Sequence, residues 1–165
     1  MMQLQKITPC LWFDSQAEEA ARFYCGIFDN SRILGISRYG EAGSEIHGKP
    51  AGSILTVAFE LAGQTFTALN GGPVFRFNEA ISLQVSCADQ AEVDRYWDRL
   101  AAGGDPAAQQ CGWLKDRYGL SWQVVPADLG DMMSDTTNRR SERVMAALLQ
   151  MKKLDLAALH QAYSG

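Results

Sequence analysis

The stretch Cys111-Gly112-Trp113-Leu114-Lys115-Asp116-Arg117-Tyr118-Gly119-Leu120-Ser121-Trp122-Gln123-Val124-Val125-Pro126 decides how this chain reads. An apolar run, an Asp-Arg-Tyr-Gly turn and a second apolar run closed by proline spell a β-hairpin. Asp and Gly accept the tight backbone of a turn, and proline cannot continue a central hydrogen-bonded ladder. An earlier stretch, Val57-Ala58-Phe59-Glu60-Leu61-Ala62-Gly63-Gln64-Thr65-Phe66-Thr67-Ala68-Leu69, is built the same way around Ala62-Gly63. Two such hairpins in a chain of 165 residues predict two copies of one module.

The segments leading into each hairpin support that reading. In the first half, Ile7 to Phe13 reads as a strand. Asp14 or Ser15 is placed to cap a helix running to about Phe28, with Ala20, Phe23, Tyr24 and Ile27 on one face. Asp29-Asn30-Ser31 turns the chain into a strand from Ile33 to Tyr39. A polar, glycine-rich loop from Gly40 to Gly52 holds His47 and Pro50, and Ser53 to Leu61 and Gln64 to Leu69 complete a strand, helix, three-strand order. Asn70-Gly71-Gly72-Pro73 breaks the chain, and Val74 to Phe77 reads as a short edge strand. The order then repeats. Ala80 to Cys87 is a strand, and a helix follows with Val93, Tyr96, Trp97 and Leu100 on its buried side. Gly103-Gly104-Asp105-Pro106 ends that helix, and Ala107 to Gln110 reads as a short strand before the hairpin. Gln16-Ala17-Glu18 recurs as Gln90-Ala91-Glu92, and Arg22-Phe23-Tyr24 is echoed by Arg95-Tyr96-Trp97, as internal duplication would leave. Beyond Pro126 the composition changes. The sequence predicts a linker with a helical turn at Leu129 to Met133, a helix from Arg139 to Met151 with Val144, Leu148 and Met151 on one face, and a last helix, Leu156 to Tyr163, capped by Asp155. The expected organisation is a single domain over 1–126, made of two modules (about 5–73 and 74–126), with a helical C-terminal extension over 127–165.

Composition narrows the function. A net charge of −4 with scattered Lys and Arg lacks the basic patch that displaces counterions from nucleic-acid phosphates. Arg139, Arg140 and Arg143 sit beside Asp135 and Glu142, as on a solvated helix. No apolar run approaches the roughly 20 residues of a membrane span. The start, Met1-Met2-Gln3-Leu4-Gln5-Lys6-Ile7, does not have the shape of an export signal, so the expected compartment is the cytosol. Cys10, Cys25, Cys87 and Cys111 form no Cys-x-x-Cys pair. The first three read as small core residues, and Cys111 as a residue able to face a cavity.

At the level of strings, the chain resembles the PhnB-like, glyoxalase-related proteins of the vicinal oxygen chelate superfamily, a group often labelled 3-demethylubiquinone-9 3-methyltransferase. The match is carried by Ile7-Thr8-Pro9-Cys10-Leu11-Trp12-Phe13-Asp14 with Ala20-Ala21-Arg22-Phe23-Tyr24, by Thr67-Ala68-Leu69-Asn70-Gly71-Gly72-Pro73, and by the whole of Cys111 to Pro126. Val144-Met145 and Gln150-Met151-Lys152-Lys153-Leu154-Asp155 also fit. The resemblance implies an α+β fold of paired βαβββ modules (glyoxalase/bleomycin-resistance/dioxygenase-like) curved around a cleft, and a homodimer.

Metal-dependent members of that superfamily hold a divalent ion with His, Gln or Glu on strands facing the cleft. Carried over residue by residue, the corresponding positions here are Thr8, Ser82, Thr67 and Gln123, and only Gln123 is a ligand type. His47 lies in a loop and His160 in the terminal helix, so the expectation is no metal and no cofactor. The predicted cleft lining is Thr8, Cys10, Trp12, Thr67, Ser82, Gln84, Trp113 and Gln123, a set of hydroxyls, amides and aromatics suited to hydrogen bonding and stacking with a small organic ligand. Asp116 and Asp14 read as turn and cap residues rather than acids or bases. With two histidines in these settings no Ser-His-Asp triad can be assembled. The methyltransferase label meets no glycine-rich strand-to-helix turn, since Gly71-Gly72 runs into proline. The expected function is metal-free binding of a small molecule. A metal-dependent glyoxalase, dioxygenase or isomerase, and a methyltransferase, are the alternatives.

Overall fold

The computed structural model describes residues 4–165, so Met1, Met2 and Gln3 of the stretch read for an export signal lie outside the described residues. The chain forms two compact units, the first ending at Arg76 and the second beginning at Phe77.

The first unit runs β1 (Cys10–Phe13), α1 (Ala17–Cys25), β2 (Arg32–Arg38), α2 (Ser44–His47), β3 (Ile54–Leu61) and β4 (Gln64–Asn70). Its sheet has the order β1-β4-β3-β2. β1 lies parallel to β4, and β2, β3 and β4 form an antiparallel meander. Alternation decides which face is covered. Leu11, Phe13, Val57, Phe59, Phe66 and Ala68 are buried on one side. Ala17, Ala20, Ala21 and Tyr24 form the buried stripe of α1, which packs on β3 and β4. Small alanines let the helix approach the sheet closely, and Tyr24 stacks on Phe59, which stacks on Phe66. The β3–β4 turn has Ala62 at φ 48° and Gly63 at φ 83°, the two left-handed residues of a tight hairpin.

Several expectations change here. Neither Asp14 nor Ser15 caps α1; the Ala17 N–H donates instead to Asn70 Oδ1 at 2.8 Å, from the end of β4. The strand expected from Ile7 begins at Cys10. The Gly40–Gly52 loop contains α2. Val74 to Phe77 is not a strand; Val74 and Phe75 are exposed, with no ladder partner to hold an extended run.

The second unit runs β5 (Ser82–Cys87), α3 (Gln90–Ala101), β6 (Trp113–Lys115), β7 (Ser121–Pro126), α4 (Leu129–Ser134), α5 (Arg140–Leu148) and α6 (Leu156–Ser164). Its sheet has the order β5-β7-β6, with β5 parallel to β7 and β6 antiparallel to it. The strand expected at Ala107–Gln110 is replaced by a 3₁₀ turn, Pro106–Ala108, and a single bridge from Gln110 to Trp113. The local reason is Asp105, whose carboxylate accepts the Ala107 N–H while Pro106 opens the turn. α3 is capped by Asp89, which accepts the Glu92 N–H, and buries Val93, Trp97 and Leu100. On the sheet, Val85, Cys87, Leu114, Trp122, Val124 and Pro126 are buried by the same alternation.

The hairpin that opened the reading is held by one carboxylate. Asp116 is 2% exposed. Its Oδ1 accepts the backbone N–H of Tyr118 (2.8 Å) and Leu120 (3.1 Å), and its Oδ2 accepts the indole N–H of Trp122 (2.9 Å). The backbone closes the same turn through Asp116 N–H to Leu120 O and Gly119 N–H to Asp116 O, each 2.9 Å.

The C-terminal helices pack on their own unit. Met132, Val144, Leu154 and Leu159 form a buried cluster with Val125, Met133, Leu148 and Met151 around it. Cys111 and Gly112 donate their N–H groups to Met151 O and Lys152 O, each at 2.8 Å. Gln90 clasps the tail from α3. Its Nε2 donates to Leu154 O, and its Oε1 accepts the Leu156 N–H. Asp155 caps α6 by accepting the Ala158 N–H, as expected. Within the tail, Asp135 accepts the Tyr163 hydroxyl at 2.6 Å, the Thr137 N–H at 2.9 Å and Arg140 Nη1 at 3.2 Å. These hydrogen bonds, that of Tyr163 foremost, hold the Asp135 carboxyl well below its ordinary 3.8.

Two outcomes follow. Asp116→Ala leaves three donors, two of them buried, without this acceptor, so chemical denaturation should show a loss on the order of 3 kcal/mol with an unchanged m-value. Asp135 has a depressed folded pKa, so its contribution is present above the ordinary carboxylate range and is lost as pH falls below about 4. Asp135→Asn should therefore lower the melting temperature at pH 7, and the difference from the parent should shrink toward zero as the acid limb is followed by circular dichroism.

Candidate functional site

The side of the second sheet opposite the α3-facing residues carries two polar rows that cross all three strands. Register places Gln84, Gln123 and Trp113 in one row, and Ser82, Ser121 and Lys115 in the next. The alternation that sends Trp122 into the core sends its neighbours to this face. Trp122 is 3% exposed, whereas Trp113 is half-buried on the opposite side of the hairpin. Four residues expected in the cleft, Ser82, Gln84, Trp113 and Gln123, thus share one surface.

They are also linked. Gln84 Nε2 donates to Gln123 Oε1 at 3.4 Å, and Gln123 Nε2 donates to Ser82 Oγ at 2.9 Å. Ser121, 1% exposed in the middle of the second row, has a buried hydroxyl with no hydrogen-bond partner. A buried hydroxyl without a partner is a costly arrangement that native structures keep rare. Lys115 is in contact with the Glu79 carboxylate, which holds that carboxyl below its usual range. Ser121 and Lys115 escaped the sequence reading. The signal was available, since each stands two residues from a candidate on the same strand, Gln123 and Trp113 respectively.

In the first unit, Cys10 pairs with Thr67 and Trp12 with Leu69, so Cys10, Trp12 and Thr67 share the face turned away from α1. Thr8 is exposed ahead of β1. Trp12 is tethered: its indole N–H donates to Gly72 O at 2.9 Å, and Phe75 meets its ring edge-on at 4.9 Å. Gly71 lies so close beneath the ring that a Cβ there would stand 2.0 Å from it. Of the cysteines expected in the core, Cys87 is buried, and burial pushes its thiol up to about 11. Cys25 is half-buried. Cys10 is exposed, because its place in the β1 alternation puts it on the uncovered face; partial desolvation still raises its thiol. Cys111 is half-buried and accepts from Gln110 Nε2.

A pocket of about 480 Å³ in the first unit is lined by Asp14, Glu18, Glu19, Tyr39, Lys49 and Asn70 among others. Two of its polar groups, Tyr39 and Asn70, hold the fold together. The Tyr39 hydroxyl donates to Asn70 O (2.5 Å), and Asn70 also caps α1. His47 packs at a tilt against Tyr39, ring centroids 4.6 Å apart, with its Nδ1 accepting the Lys49 N–H and its Nε2 against Ala42 O. His160 pairs with Asp128 on the tail.

The donor set does not fit a divalent cation. Ser82 and Gln123, the two second-sheet positions that the family resemblance offers as ligand sites, are both neutral, and the Gln123 Nε2 already donates to Ser82 Oγ. Hard cations take carboxylates and transition metals take imidazole or thiolate. Among the described residues no three or more His, Cys, Asp or Glu side chains are grouped to hold an ion. Also among them, no helix is long and apolar enough to cross a membrane.

Comparison with known proteins bears on the family. A family model described as 3-demethylubiquinone-9 3-methyltransferase matches residues 5–125. The PhnB protein of Bacillus cereus is 38% identical over 74% of this chain and 100% of its own, with a TM-score of 0.63. Protein PA1353 from Pseudomonas aeruginosa is 22% identical over 75% of this chain and 98% of its own, with a TM-score of 0.56, a likeness of fold alone. Among curated proteins nothing matches. The extent of the family match and the identity to the Bacillus cereus protein make this chain a member of the PhnB-like family described as 3-demethylubiquinone-9 3-methyltransferase.

Proposed function

We propose that this chain binds a small organic molecule on the polar face of its second sheet, without a tightly held metal, as a cytosolic homodimer. The observation that carries the reading is the row Gln84–Gln123–Trp113 with Ser82 beside it: two amides, a hydroxyl and a half-buried indole on a regular sheet, with few of their hydrogen-bonding groups spent on one another. Such a surface orients a ligand through directional bonds and gives it an aromatic plane to lie on. In the first unit, taken by itself, Thr8, Cys10, Trp12 and Thr67 are proposed as ligand-contacting residues of that unit's own sheet face, of which Trp12 is the best fixed. The dimer rests on the family resemblance.

The chemistry in the family's description needs a methyl donor. β4 ends at Asn70, and the segment after Gly71-Gly72 contains no helix whose N-terminus would receive such a cofactor. Nor do Ser82 and Gln123 supply the charge that would hold a Lewis-acidic ion for a glyoxalase or dioxygenase reaction.

Protein dialysed without chelator should contain far less than one divalent ion per chain by elemental analysis, and S-adenosylmethionine should give no heat of binding. A stoichiometric, dialysis-resistant ion would transfer the assignment to the metal-dependent enzymes. Ser121→Ala removes a hydroxyl that has no partner, so the unliganded protein should be unchanged or stabilised by about 1 kcal/mol. A loss of that size would instead show that Ser121 contributes a bond in the unliganded state.

A further inference from the structure

We infer that the ligand of the second-sheet face is a neutral, planar molecule carrying an N–H donor and a C=O acceptor side by side, the edge of a lactam or cyclic amide, lying against Trp113. This rests on the reading of that face as a binding surface and names what it takes.

Charge comes first. Gln84, Gln123, Trp113, Ser82 and Ser121 are all uncharged, and the one cation in the two rows, Lys115, is already in contact with Glu79. An anionic or cationic ligand would give up hydration on this face and meet no free countercharge, which is a net penalty. A neutral ligand pays no such cost.

Hydrogen-bond capacity comes next. The chain from Ser82 through Gln123 ends on Gln84, which is exposed. A primary amide has two N–H donors and a carbonyl with two lone pairs. The bond to Gln123 uses one of these, whichever way round the two amides are set, because reversing both exchanges donor and acceptor along the whole chain. In either setting Gln84 keeps at least one N–H and one carbonyl lone pair on the same planar group. The group that satisfies both at once is another amide edge with its N–H and C=O adjacent. A carboxylate offers acceptors only, and an ammonium donors only. Gln123 lies between Gln84 and Trp113 in the row, so a ligand that bonds Gln84 and extends along the row lies over Gln123 and meets the indole. A flat ring suits that span, because offset stacking on Trp113 adds to the amide bonds without requiring a further polar partner.

The test uses three probes of similar size on the full-length, ¹⁵N-labelled protein: isocarbostyril, which has the lactam edge; N-methylisocarbostyril, which lacks only the N–H; and naphthoate, which is planar and anionic. The side-chain signals of Gln84, Gln123 and Trp113 are assigned with Gln84→Leu, Gln123→Leu and Trp113→Phe. Isocarbostyril should shift the Gln84 and Trp113 signals and bind at least about tenfold more tightly than either of the other probes, the difference one amide hydrogen bond makes. Gln84→Leu, at an exposed position, should erase that tenfold preference while the Trp113 signal still responds. If N-methylisocarbostyril or naphthoate moves the same signals with equal affinity, the ligand class is wrong and the binding face stands. If none of the three moves them at millimolar concentration, the binding face falls as well.

Discussion

Three hydrogen bonds to one buried carboxylate set the geometry of the second unit. Asp116 gathers the Tyr118 and Leu120 N–H groups and the Trp122 indole, and so ties the turn, the strand that follows it and the core to a single point. A carboxylate taken out of water is tolerated only when its lone pairs are occupied, and the same bonds that satisfy Asp116 hold Trp122 in the core. A strand's side chains alternate, so fixing Trp122 inward fixes Ser121 and Gln123 outward and, across the ladder, Trp113 and Lys115 with them. Slippage of the hairpin by one residue would bury Gln123 and expose Trp122. The polar face is in this sense a consequence of the turn.

The first unit uses a different device for the same purpose. Asn70, at the end of β4, caps α1 through Ala17, bonds Ile54 O through its Nδ2, and offers its own carbonyl to the Tyr39 hydroxyl. A helix beginning at an uncapped Gln16 thereby gains its N-terminal partner from the strand it crosses over to meet. In the second unit, α3 carries its own cap in Asp89, and Gln90 is free to clasp the tail instead. The duplicated sequence signature, Gln-Ala-Glu at both helix starts, has thus been put to two uses. Gln16 precedes a helix capped from a distant strand, and Gln90 anchors segments that lie beyond the match to the family model at residues 5–125.

The tail completes the second unit by joining the hairpin through backbone as well as side chains. Cys111, with φ 53°, and Gly112, with φ 82°, turn their N–H groups onto Met151 and Lys152. Gly112 is needed there, because a Cβ would meet Leu154 and the Val124 carbonyl at 3.1 Å. Met133 and Met151 fill around the buried Met132, as flexible thioethers do where helices meet an irregular surface, while Met145 stays 40% exposed.

What the sequence by itself determined is whatever depends on neighbours a few residues apart. Period-two alternation placed Trp113 and Trp122 on opposite faces of the hairpin, while the choice of Ser82, Gln84, Trp113 and Gln123 as cleft residues came from the family resemblance and not from the pattern itself. Turn chemistry located both hairpins and gave Asp116 its structural role. The cap Asp155 was legible for the same reason. The tertiary structure alone decided what depends on residues distant in the chain. Asn70 replaced Asp14 and Ser15 as the cap of α1, and Trp12 was tied to Gly72. Ser121 was left with an unpaired hydroxyl and Lys115 was set against Glu79. No local pattern encodes these pairings, because a hydrogen bond or an ion contact is specified by where two side chains arrive in space, and that is settled only when the sheet has formed and the helices have closed on it.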